Sequence, residues 1–317
     1  MPRQRILLTG ADGFVGRHLL PPLRAAFPVA DLLATGRNAV PGLRQLDVTD
    51  AAAVDAAIAA WPPTDCIHLA AIAVVPQASR SPELAWRVNL HGTLTLADAL
   101  VRHAPGCRLL HVSSADVYGR SFAAGTPLDE SALPAPMNAY GATKAAADLA
   151  IGAMAGERLH AIRLRPFNHT GPAQSAEFVV PAFARQVARI EAGLQPPRLA
   201  VGALDPARDF LDVRDVCAAY IACLREAATI PPGTILNIAS GIPRRIGGIL
   251  DDLLAMAGIT AEIAVEPGRL RASEIPVACG DATRARGMLG WEPQMAWEDT
   301  LAAVLADWRR RAREEAA

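Results

Sequence analysis

Short, wholly apolar runs alternate with longer amphipathic ones along the first half of the chain. Arg5-Ile-Leu-Leu-Thr9 reads as a buried strand, and Gly10-Ala-Asp-Gly13-Phe-Val-Gly16 follows it directly. Phe14, Val15, Leu19, Leu20 and Leu23 then mark the apolar side of a helix that Pro28 closes. Further strands are read over residues 31–37, 43–50, 64–71 and 108–114. Between them lie an Ala-rich helix reaching Trp61 and a helix carrying Trp86, Val88, Asn89, Leu90 and Thr93. Strand and helix alternating at about thirty residues predict a parallel sheet with helices on both faces.

The second half is less regular. Residues 121–136 form a polar loop with Asp129 and Glu130, expected at a lid edge. Asn138 and the Ala-rich run after it suit a helix start. Residues 178–194 read as an amphipathic helix closed by Pro196-Pro197, and residues 213–226 as another. Residues 234–239 return to the parallel-strand pattern, so a discontinuous sheet domain is expected over 1–165 with 209–240. The remainder, 166–208 with 241–317, is assigned to a smaller, mainly helical lobe for the substrate, with a helix over 249–256 and a strand around Ile263. Residues 309–315 are expected to fray. The fold class is thus α/β, a Rossmann-type doubly wound parallel sheet with a C-terminal substrate lobe.

Composition narrows the function classes. At 317 residues, 51% hydrophobic and a net charge of −1, the chain carries no basic patch for nucleic acid or an acidic membrane surface. Its five cysteines form no C-x-x-C pair, no metal ligand set is assigned, and buried free thiols in a reducing cytoplasm are expected. The N-terminus runs straight into the first strand, and apolar stretches break before membrane-spanning length, which also favours a cytoplasmic protein.

In open parallel sheets, ligands lie outside the carboxyl ends of the strands. G-x-x-G-x-x-G over Gly10, Gly13 and Gly16 supplies a tight turn, close backbone approach to a pyrophosphate and close helix packing. An acid on the ribose is expected at the end of the second strand; Asp31 opens that strand instead, and Arg37 ends it. A guanidinium there suits a 2′-phosphate, so NADP(H) is expected over NAD(H). Asp47 is placed for an adenine amine, with helix capping left to Thr49 or Asp50. Ala70 and Ala71 leave room for a dinucleotide, His68 reads as a core histidine, and Ser114 ends the fifth strand. Tyr140 and Lys144 share a helix face at i, i+4, and Lys144 is the only lysine in the sequence. An ammonium beside a phenol lowers the phenol's pKa toward a useful range for proton transfer.

The glycine turn, Ser114 and Tyr140-Gly-Ala-Thr-Lys144 together resemble the extended short-chain dehydrogenase/reductase family over essentially the whole chain. Residues 163–174, 207–215 and 270–276 are similar to its sugar-nucleotide branch, above all to GDP-4-keto-6-deoxy-D-mannose reductases. The resemblance implies catalysis by Ser114, Tyr140 and Lys144. It puts cofactor contacts at Gly10, Gly13, Phe14, Val15, Gly16, Arg37, Asp47, Val48, Leu69, Ala70, Ala71, Tyr140, Lys144 and His169. It puts substrate contacts at Ser114, Asp116, Asn168, Arg208, Arg271 and Glu274, on a GDP-linked 4-keto-6-deoxy sugar. Related 4,6-dehydratases carry a glutamate where Asp116 stands, which argues against dehydration. A sugar-nucleotide 4-epimerase and a GDP-mannose 4,6-dehydratase remain as alternatives, and more remotely a non-catalytic NADP(H)-binding regulator. The resemblance also implies a homodimer built through a four-helix bundle.

Overall fold

The computed structural model describes residues 3–269 and 275–316. Its first half contains β1 (Arg5–Thr9), α1 (Phe14–Ala26), β2 (Asp31–Gly36), β3 (Arg44–Gln45), α2 (Ala51–Ala60) and β4 (Asp65–His68). Short helices α3 (Val75–Arg80) and α4 (Pro82–Trp86) lead through a π-helical turn, Arg87–Gly92, into α5 (Thr93–His103) and β5 (Cys107–Val112). Then come α6 (Ala139–Met154), β6 (Leu159–Pro166), β7 (Asn168–Thr170), α7 (Val179–Glu191), β8 (Arg198–Val201), β9 (Ala207–Asp212) and α8 (Val213–Glu226). The chain ends with β10 (Ile235–Ile238), β11 (Pro243–Arg245), α9 (Ile246–Ala257), β12 (Glu262–Val265), β13 (Val277–Ala278), α10 (Thr283–Leu289) and α11 (Trp297–Ala316).

Seven strands form one parallel sheet in the order β10-β6-β5-β4-β1-β2-β3. Neighbours flank β1 on both sides and helices cover both faces, so Ile6, Leu7 and Leu8 are all about fully buried. Each such side chain contributes roughly 1.5–3 kcal/mol of burial. This explains why the strands read as continuous apolar runs. The order reverses between β1 and β4, and the glycine turn opens at that crevice. A separate core lies among α7, α9, α11, β8 and Phe210 of β9. Ala282, Ala285, Leu289 and Trp291, beyond residue 241, pack instead into the core under the large sheet.

Three expectations need correction. The strand read over residues 43–50 shrinks to Arg44–Gln45, because only those residues pair with β2, at the edge of the sheet. Glu130 is no lid acid: it is buried, accepts the Asn237 N–H at 2.8 Å and faces Arg284 at 3.5 Å. The charged tail is ordered helix, since Arg309 forms a two-pronged pair with Glu191 of α7 at 2.9 and 2.6 Å.

The glycines of the first turn divide by what surrounds them. Gly10 has φ +68, and a Cβ there would lie 2.7 Å from Ala70 N. A Cβ on Gly16 would lie 2.3 Å from Gly10 O, and one on Gly13 only 3.1 Å from the same atom. Gly16→Ala should therefore cost about 1–3 kcal/mol of stability and Gly13→Ala less than about 1 kcal/mol. Denaturant unfolding checks this; equal losses would contradict the packing account.

Candidate active site

The first turn builds an anion cradle. Gly13 caps α1 with backbone alone, no side chain accepts its first amides, and no acid stands in its first turn. The positive helix end is thus left for a ligand, which fits a pyrophosphate. The turn lies against the end of β4: Leu69 N donates to Thr9 O at 3.3 Å and Ala70 N to the Thr9 hydroxyl at 3.4 Å. His68 is held in the core between the hydroxyls of Thr9 at 2.7 Å and Thr93 at 3.0 Å. Asp12 turns outward and accepts from Asn38 N at 3.2 Å and Nδ2 at 2.9 Å, tying the turn to the segment that carries exposed Arg37.

Asp47 accepts the amide and hydroxyl of Thr49 at 2.9 and 2.8 Å, which with Arg37 and Arg87 holds its carboxyl below the usual range. Asp50 caps α2. Arg87 is a second cation on this rim that the sequence reading missed; a basic residue inside a helical pattern gives no sign of where it points. Val48 is buried, and a Cβ on Gly92 would meet its Cγ2 at 2.8 Å, so it packs against the π-helical turn.

The second part of the site sits at the ends of β5 and α6. Asn138 caps α6 by accepting Gly141 N at 2.8 Å, which sets Tyr140 in the first turn. One turn later, buried Lys144 donates from Nζ to Val112 O at 2.5 Å. Ser114 is buried beside them, its hydroxyl accepting Asp116 N at 3.1 Å. Asn89, in the π-helical turn, was missed as a site residue. It accepts Ile72 N at 2.8 Å and donates to Ile72 O at 3.1 Å and Thr143 Oγ1 at 2.9 Å, clamping the segment after β4 to α6. A lone Asn in a helical pattern carries no sequence signal for this.

The electrostatics reverse one expectation. Burial first, and then the charge of Asp116, push the Tyr140 phenol above its ordinary range, against a hydrogen bond with Ser114. Burial sets the net direction, and the Lys144 ammonium donates to Val112 O on the same side. Lys144 is itself pushed down to about 8 by burial, with Asp148 opposing. Tyr140 is therefore a protonated phenol at neutral pH.

On the substrate side, β7 lies beside β9 with His169 opposite Leu211. His169 Nδ1 lies 2.9 Å from Phe167 O, and its ring is parallel to Phe14 at 6.3 Å, which joins β7 to the start of α1. Asn168 precedes it, half-buried. Arg208 on β9 donates to Ala207 O at 2.8 Å and feels the Asp116 carboxylate. Arg208 and Asp116 thus lie within electrostatic reach of one another. Arg271 and Glu274 lie outside the described residues.

A family model described as GDP-mannose 4,6 dehydratase matches residues 7–304. The chain belongs to this family. It is 38% identical to a GDP-6-deoxy-D-mannose reductase of Pseudomonas aeruginosa, over 98% of this chain and 99% of that one. Among solved structures it resembles RMD from Pseudomonas aeruginosa complexed with NADPH, at a TM-score of 0.83, 35% identity, and 97% and 99% coverage. It also resembles a Thermus thermophilus UDP-glucose 4-epimerase in complex with NAD, at a TM-score of 0.81, 26% identity, and 96% and 99% coverage. Proteins that this chain resembles in fold thus differ in reaction.

The buried ammonium has a consequence for stability. Its folded pKa of about 8 lies below the ordinary 10.5, so the unfolded chain holds that proton more tightly. The group lowers stability below pH 8, and the penalty fades as pH rises toward the ordinary value. Lys144→Met should be about 2 kcal/mol more stable than the parent at pH 7. The gap should narrow with rising pH in denaturant titrations; a less stable variant at pH 7 would contradict a desolvated Lys144.

Proposed function

We propose that this chain is an NADPH-dependent reductase of the C4 keto group of a GDP-4-keto-6-deoxyhexose, giving a GDP-6-deoxyhexose of the GDP-D-rhamnose type. The observation that carries the reading is Tyr140, held protonated beside Ser114 and Lys144 at the sheet edge that holds the glycine cradle. Bound NADPH supplies the hydride. The uncapped end of α1 holds the pyrophosphate, Arg37 the 2′-phosphate, and the small Ala70 and Ala71 leave room along the strand ends. Ser114 orients the sugar carbonyl by hydrogen bonding, and Tyr140 delivers the proton to the C4 oxygen. Lys144 steadies the phenolate left behind. Asn168 and Arg208 face the sugar nucleotide, Arg208 as a fork donor to the diphosphate, while Arg271 and Glu274 take its nucleotide end.

The likeness to a GDP-6-deoxy-D-mannose reductase supports this reading. The family model's own description favours a second one, a GDP-mannose 4,6-dehydratase, with Asp116 as the acid beside Tyr140. A dehydratase would convert GDP-mannose with no net loss of NADPH. The reductase should consume NADPH one-for-one with GDP-4-keto-6-deoxymannose. Tyr140→Phe should bind NADPH normally and lose at least about a hundredfold in turnover. Arg37→Ala should raise KM for NADPH with little change for NADH. Conversion of GDP-mannose alone, with NADPH untouched, would overturn the reading.

The reading places the enzyme in the cytoplasm, as a homodimer paired through α5 and α6 into a four-helix bundle. Exposed Leu149 on α6 supports that surface. Among the described residues no helix is long and apolar enough to cross a membrane. Sedimentation should give a dimer that Leu149→Glu weakens; a monomer at micromolar concentration would exclude it.

A further inference from the structure

Asp148 stands one turn beyond Lys144 on α6, so the two side chains share the face turned to the sheet. Its carboxylate is 1% exposed. It accepts from Arg163 Nη1 at 3.0 Å and from Arg165 Nε and Nη2 at 3.1 and 2.9 Å. Both arginines belong to β6. Arg163 has a second anchorage, donating to Gly233 O from Nε at 3.2 Å and Nη2 at 2.7 Å. Arg165 is 2% exposed, lies 4.9 Å over the Tyr118 ring, and has no hydrogen-bond partner for Nη1 among the described residues. So deeply buried a guanidinium depends on Asp148 for its compensating charge. Asp148 is thereby gripped from the sheet on two sides and has no freedom to turn toward water.

The groups that face Lys144 come from three strands and its own helix. His68 on β4 and His111 on β5 are both kept neutral by burial, and both feel the Lys144 charge. Arg163 on β6 adds positive charge near His111. On α6 stand Tyr140, protonated, and Asp148. Among the described residues, Asp148 is the negative charge that acts on the ammonium.

We propose that Asp148 is a positioning residue for the reaction: gripped by Arg163 and Arg165, it sets a fixed negative charge behind Lys144 and holds that ammonium against Val112 O at the end of β5. Burial alone would otherwise favour a neutral amine, which neither steadies a phenolate nor stays on a carbonyl oxygen as an ammonium does. Arg165 extends the same grip to Tyr118, whose hydroxyl donates to Asn237 Oδ1 on β10 at 2.7 Å.

The inference rests on Tyr140 and Lys144 carrying the chemistry, yet its test needs no turnover. Lys144 is the only lysine among 317 residues, so protein carrying lysine labelled with carbon-13 at Cε gives one titrating NMR signal that needs no assignment. The parent signal should titrate near pH 8. In Asp148→Asn the midpoint should fall by about one pH unit or more, and Asp148→Glu should recover most of it. Because Asp148→Asn strands Arg165, the double variant D148N/R165Q separates packing from charge. Its thermal stability should recover while the midpoint stays low. A midpoint unchanged in Asp148→Asn, or restored together with stability in the double variant, overturns the proposal. Normal turnover in Lys144→Met would instead count against the proposed function and leave the titration result standing.

Discussion

A desolvated ammonium at the end of β5 is the group on which the site depends. Lys144 is buried among neutral histidines and donates to a backbone carbonyl, an arrangement that water would otherwise serve better. Its surroundings oppose that cost in two ways, through Val112 O and through the carboxylate of Asp148. Function explains why so unfavourable a group is kept: a compact charge beside Tyr140 has an effect on a phenolate that a solvated charge would lack. The same burial that strains Lys144 keeps Tyr140 protonated, so the pair begins as an acid and a poised cation.

The parallel sheet does the rest by geometry. Because every strand points the same way, the glycine turn after β1, the small residues after β4 and Ser114 after β5 reach one edge without further design. Clamps then make that edge rigid. Asn89 ties the segment after β4 to α6, and Asp12 ties the first turn to the segment of Arg37. The parallel rings of Phe14 and His169 join the cofactor side to β7, and β7 lies beside the β9 strand that carries Arg208.

The sheet was largely legible because strands buried on both faces leave unbroken apolar runs, as in Ile6, Leu7 and Leu8. The residue types at its edge were legible for the same reason. What failed was whatever depends on distant partners. Residues 309–315 looked frayed because their charges are answered by Glu191 on α7, far away in sequence. Glu130 looked like a loop acid because its partner is a backbone amide of β10. The i, i+4 spacing puts Tyr140 and Lys144 on one helix face, but does not show how dry that face is. Dryness decides the direction in which both groups shift.

The central claim is that the residues at this edge direct a hydride to C4 of a nucleotide-linked sugar while Tyr140 supplies the proton. Deuterium transfer tests it most directly. NADPH carrying deuterium at the transferring position is incubated with the protein and GDP-4-keto-6-deoxymannose, and the product is read by NMR. One deuterium fixed at the sugar C4, in a single configuration, is the predicted result. Product with no deuterium at C4, or deuterium only at C6, would contradict it.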